Sequence, residues 1–141
     1  MGAKRKVELN LFERAGFEAF ILALPATTLV HQWGDASVGK VGGKIFALFG
    51  AGVTGSPAAI SFKCSDMAFE MLPELEGIGP APYLARAKWV VAEARSPLSR
   101  AEVAGYVREA HRLVASKLTR RMKSELGLGP TFDRNEKGRG L

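Results

Sequence analysis

The sequence is poor in the side chains from which catalytic and metal centres are usually built. It has one cysteine, Cys64, so an internal disulfide framework is excluded. A single thiol suits a reducing compartment. The two histidines, His31 and His111, lie far from each other and from Cys64, so the ligand spacing of a zinc site is absent and no metal or other cofactor is expected. No apolar run approaches the roughly 20 residues that a membrane-spanning helix needs. The basic start Lys4-Arg5-Lys6 does not lead into the apolar core of a secretory signal, because Glu13, Arg14 and Glu18 interrupt it. Met1-Gly2 lacks the hydroxyl residue that myristoylation favours at position 6, which is Lys6. The expectation is a cytoplasmic protein with no membrane partner.

What is present is an ordinary globular composition, with 47% hydrophobic and 24% charged residues in 141, the size of one domain. The net charge is +6, and its location matters more than its size. Residues 1–6 hold three basic groups and no acidic one, and residues 133–141 hold three basic against two acidic. The stretch 7–132 is left with 14 basic and 12 acidic side chains. Most of the excess therefore sits in the tails. The expected organisation is one domain over 7–127, a basic tail at 1–6 and a disordered tail at 128–141.

Hydrophobic periodicity orders the chain. Phe12, Gly16, Phe17, Phe20 and Leu24 recur at helical spacing, with Asn10 and Glu13 as a cap and Pro25 as the stop. Leu29–Gln32 and Ser37–Val41 then read as short strands. Gly42-Gly43 is a two-residue turn into a third strand at Lys44–Phe49, since both turn positions can take positive φ. Ala58–Cys64 alternates, with Ile60, Phe62 and Cys64 on one face. Ser65-Asp66 opens a short helix through Leu72, Pro73–Pro82 is rich in turn residues, and Trp89–Glu93 is the last strand. Ser99 and Glu102 form a capping box that opens a long helix. Its apolar stripe runs from Val103 to Met122, and Gly127 is the stop. The fold class is α+β, an antiparallel sheet packed against N-terminal and C-terminal helices.

Three candidate sites fail on context. Gly50-x-Gly52-x-x-Gly55 matches a dinucleotide fingerprint, but Ser56-Pro57 leads into a strand rather than the helix whose N-terminus would receive a pyrophosphate. Cys64 alternates with Ile60 and Phe62 on the inward face, where a thiol acts as a small hydrophobe. His111 borders the apolar stripe of the last helix, the place of a packed residue. No catalytic residue is assigned, and a non-enzymatic protein is expected. The basic side chains carry more. Lys40 and Lys44 flank the tip of a tight hairpin, and Lys63, Arg86 and Lys88 lie on or beside strands. Trp33, Tyr83 and Trp89 are interleaved as aromatic surface candidates. Phosphate neutralisation with stacking is the general chemistry of nucleic-acid binding.

The same segments resemble a known family. His31-Gln32-Trp33-Gly34, Lys40-Val41-Gly42-Gly43-Lys44-Ile45-Phe46-Ala47 and Ile60-Ser61-Phe62-Lys63 are similar to the MmcQ/YjbR family of small bacterial proteins. So are Pro80-Ala81-Pro82-Tyr83-Leu84-Ala85-Arg86-Ala87-Lys88-Trp89-Val90, and Leu113-Val114 with Lys117-Leu118. The match spans about residues 10–126 in family order. The resemblance implies an antiparallel α+β fold in a double-wing, DNA-binding arrangement. Two positions depart from the pattern. Gly39 stands where the family often has an aromatic before the wing lysine, which implies a looser wing. Ala110-His111 stands where Ser-Tyr is usual, which makes His111 a packing residue.

Two functions follow as expectations. The first is a DNA-binding module that uses Lys40, Lys44, Lys63, Arg86 and Lys88 on phosphates, electrostatically and without base specificity. The second is a protein- or small-ligand-binding module whose face is lined by Trp33, Tyr83 and Trp89.

Overall fold

The computed structural model describes residues 9–50, 58–82 and 84–129. Six antiparallel strands form one sheet: β1 (Thr27–Gln32), β2 (Ala36–Val41), β3 (Lys44–Gly50), β4 (Ala59–Lys63), β5 (Ile78–Pro80) and β6 (Trp89–Glu93). Their order across the sheet is β1-β2-β3-β4-β6-β5. The helices are α1 (Arg14–Ala23), α2 (Asp66–Met71), α3 (Arg100–Ser116) and α4 (Arg120–Glu125).

The expected α+β architecture is the observed one. Phe17 and Ile21 of α1, with Val103, Val107, Ala110 and Ala115 of α3, pack onto one face of the sheet. From that face Phe49, Ile60, Phe62, Val90 and Ala92 meet them. The other face carries a smaller apolar group of Ala59, Ala81, Trp89 and Val91, with Ile45 and Leu48 at its margin.

The β2–β3 hairpin turns on Gly42 (φ +60) and Gly43 (φ +80), the conformation that a two-residue turn demands. The pairing then slips. Gly39 pairs with Ala47 but Lys40 pairs with Ile45, so Phe46 is an extra residue in β3. Such a bulge lets Phe46 and Ala47 both enter the helix-side core, which strict alternation would forbid.

Four larger features depart from the sequence reading. α1 begins at Arg14 rather than near Asn10. Asn10 instead makes its own turn, with Oδ1 accepting from Phe12 N–H at 3.0 Å and its carbonyl accepting from Glu13 N–H at 3.1 Å. Gly16 is obligatory there, since a Cβ would lie 2.2 Å from the Asn10 carbonyl oxygen. The three-residue β5 lies in the stretch read as turns, too short to show a period. The long C-terminal helix is two: α3 ends at Ser116, and Thr119 caps α4 by accepting from Met122 N–H at 3.0 Å. Finally, Leu128 is 2% exposed and packs in the core, so the ordered domain runs past 127 into the stretch read as tail.

Candidate nucleic-acid interface

Antiparallel register gathers the basic residues. Val41 pairs with Lys44, and Lys63 pairs with Trp89. The end of β2, the start of β3, the end of β4 and the start of β6 therefore share one end of the sheet. Lys40, Lys44 and Lys63 stand on those strand ends, and Arg86 and Lys88 lie in and just after the 3₁₀ turn Ala85–Ala87 that leads into β6. Five cations spread over 49 positions of sequence, counted from Lys40 to Lys88, thus share one end of the sheet.

The group is uneven in exposure. Lys44 and Arg86 are exposed, whereas Lys40, Lys63 and Lys88 are half-buried. Lys63 Nζ donates to the Ala87 carbonyl at 2.6 Å. Its burial lowers the ammonium pKa, and the charge of Lys117 lowers it further; Cys64 and Asp66 oppose this, and Lys88 adds to it. Lys88 takes a left-handed backbone (φ 66, ψ 51) as it closes the 3₁₀ turn. Its carbonyl accepts from Cys64 N–H at 2.9 Å, and its Nζ lies 5.3 Å from the centre of the Phe69 ring. Two of the five cations are therefore partly committed within the protein, and Lys63 is less a free phosphate ligand than its sequence position implies.

Sequence reasoning missed Lys117. It lies at the C-cap of α3, exposed, and its charge acts on Lys63 across more than fifty residues of chain. Leu118 packs against the Gly42 turn, which brings the α3–α4 junction to the hairpin tip. The signal was the helix break at Thr119, a residue of the N-cap class inside an apparently continuous helical stripe.

The aromatic candidates do not assemble. Trp33 is 61% exposed in the β1–β2 turn, at the end of the sheet opposite the lysines. Trp89 is 5% exposed and belongs to the second apolar layer, so it is not a surface residue. Ala59, Ala81 and Val91 pack with it on that face. Tyr83 lies outside the described residues.

The remaining candidates have structural surroundings. Cys64 is buried, its Sγ donates to the Lys88 carbonyl at 3.4 Å, and burial pushes its thiol pKa up to about 11. The thiolate is scarce at neutral pH. His111 is 2% exposed, with its ring edge-on to Phe46 at 5.2 Å. A carbonyl only accepts, so the 2.8 Å contact with Pro25 places the proton on Nε2. Burial lowers the His111 pKa despite that bond. Of the glycine motif, Gly50 ends β3, residues 51–57 lie outside the described residues, and the next element is strand β4. Among the described residues there is no group of three or more His, Cys, Asp or Glu fit to hold a metal. No helix among them is long and apolar enough to cross a membrane.

Comparison with known proteins places the chain. The YjbR family model matches residues 22–113, well over half of it. The chain belongs to the YjbR family. Two solved structures share the fold of this YjbR chain. Deinococcus radiodurans protein DR2400, described by the domain name DUF419, superposes with a TM-score of 0.74 at 22% identity, over 86% of this chain and 93% of that one. A Pseudomonas syringae protein gives a TM-score of 0.59 at 22% identity, over 72% of this chain and 97% of that one. No curated protein matches the chain.

Proposed function

We propose that this YjbR-family protein is a non-enzymatic DNA-binding module that holds the phosphate backbone against the basic end of its sheet. The observation that carries the reading is the convergence of Lys40, Lys44, Lys63, Arg86 and Lys88 at that end, with Lys117 joining them from α3. Like charges that already depress the Lys63 pKa are relieved when an anion lies among them. Lys40 and Lys44, on either side of the Gly42-Gly43 tip, serve as the wing that reaches the backbone. Affinity is electrostatic and independent of base sequence, the term that cations on phosphates supply.

Fluorescence anisotropy with labelled duplex DNA tests this. Neutralising about four phosphates gives a slope of log K against log salt near −3.6, a loss of about 150-fold between 50 and 200 mM salt. The double variant Lys40→Ala/Lys44→Ala flattens that slope by about two units. No binding at low salt, or an unchanged slope in the double variant, overturns the reading. The alternative, an aromatic-lined ligand face, loses support because Trp33 and Trp89 lie at opposite ends of the sheet and Trp89 is buried.

A further inference from the structure

The two edges of the sheet are built differently. β5 is three residues long and ends in Pro80, which has no N–H to offer. β1 is six residues long and holds no proline, lysine or arginine. In the two-residue hairpin the closing pair Val41–Lys44 is hydrogen-bonded, so Val41 turns its N–H and C=O away from β1. By alternation, Thr27, Leu29 and His31 direct theirs outward. β1 is thus a long, plain edge, of the kind proteins usually blunt.

Beside that edge, α1 presents an uncharged flank. Ala15, Ala19 and Leu22, at i, i+4 and i+7, are exposed, and Leu22 is 58% exposed. The only charged residues of α1 are Arg14, which donates to Ser37, and Glu18, whose carboxylate is bonded by both Ser37 and His31.

We propose that β1 pairs with β1 of a second copy of this chain about a two-fold axis through Leu29, so that one sheet runs through both. In that antiparallel register Leu29 faces Leu29, and Thr27 faces His31 of the second copy. All three outward peptide groups of each copy are then bonded, six hydrogen bonds in all by the ladder geometry. α1 lies over β1 and β2. With paired strands about 4.8 Å apart, the two α1 helices come about 10 Å apart, the distance at which helices with small side chains pack. Ile21 touches Gly39, the β2 partner of Leu29, so the axis passes beside Leu22. Leu22 then meets Leu22, with Ala19 alongside. On that axis Glu18 of one copy comes opposite the uncharged segment Pro25–Ala26 of the other, and Arg14 lies beyond it. The exposed Trp33, just beyond the end of β1, falls beside Pro25 and Ala26 of the second copy. A second copy satisfies the strand edge, the helix flank and Trp33 together, and the proposal is independent of DNA binding.

Sedimentation velocity of the full chain tests it. The wild type sediments as two chains of 15.1 kDa at concentrations of about 100 µM and dissociates on dilution. Leu22→Arg sets like charges against each other at the axis and raises the dissociation constant about 100-fold, with an unchanged circular dichroism spectrum. Met67→Arg, at a still more exposed position on α2, leaves the wild-type mass. Ala19→Arg serves as a second probe of the same flank. A wild type of single-chain mass overturns the proposal. So does a dimer that survives both Leu22→Arg and Ala19→Arg.

Discussion

Leu118 closes over Gly42. A Cβ at Gly42 would lie 2.8 Å from both terminal methyl carbons of Leu118, and the residue has φ +60. This contact joins the tip of the β2–β3 hairpin to the break between α3 and α4, and so sets Lys117 beside the strand-end lysines. Gly42→Ala therefore meets two costs, the left-handed backbone and displacement of Leu118. Gly43 has φ +80 but open space around its Cβ position. Gly43→Ala should destabilise by about 1 kcal/mol and Gly42→Ala by about 2. Urea unfolding of both variants measures the difference; equal losses would show that Leu118 gives way freely.

Gly39 is the seat of α1. A Cβ there would lie 3.0 to 3.4 Å from three carbons of Ile21, so the helix rests directly on the strand. An aromatic at this position, as the family pattern has it, needs the space Ile21 occupies. The glycine thus leaves room for Ile21 on β2. Gly39→Phe should destabilise by about 3 kcal/mol or more, with Ile21→Ala in the same chain recovering part of the loss. Non-additivity in thermal melts of the two single variants and the double variant is the readout.

His111 should make stability depend on pH in a known direction. Its folded pKa lies below the ordinary 6.5, so the unfolded chain binds the proton more readily. The contribution is complete above about pH 6.5 and is lost as pH falls towards the folded pKa, at up to about 1.4 kcal/mol per unit. Urea midpoints at pH 7.5 and 5 should differ for the wild type. In His111→Leu the difference should shrink, although the variant starts less stable through loss of the bond to Pro25.

Ser37 organises the opposite end of the sheet. It is fully buried, its Oγ donates to Glu18 at 2.5 Å, and it accepts from Arg14 at 2.7 Å. The Ser37 hydrogen bond, and then that of His31, holds the Glu18 carboxyl below its ordinary 4.5. A depressed carboxyl stabilises the fold above its unfolded pKa, and that contribution is lost as pH falls through the folded value. Ser37→Ala should cost about 1–2 kcal/mol at pH 7. The gap between variant and wild type should narrow at about pH 3, as chemical denaturation at the two pH values would reveal.

Much of this molecule was legible before any fold was known. The Gly42-Gly43 turn, the alternation that buries Cys64 and the Ser99–Glu102 capping box are local, set by backbone sterics and side-chain period within a few residues. So were most strands and the α+β class. The five cations were named by type, and their family could be recognised from short motifs. What local pattern cannot carry is distance through space. The Phe46 bulge, the three-residue β5 and the break at Thr119 depend on partners elsewhere in the chain. The burial of Trp89 depends on Ala59 and Ala81, which pack with it from other parts of the chain. Lys117 joined the basic end only because Leu118 packs on a glycine seventy-six positions earlier. Local pattern was enough for most of the elements and for which side chains are charged. Only the tertiary structure decided that the cations share one end of the sheet while Trp33 stands at the other, because antiparallel register, not sequence order, fixes which strand ends are neighbours.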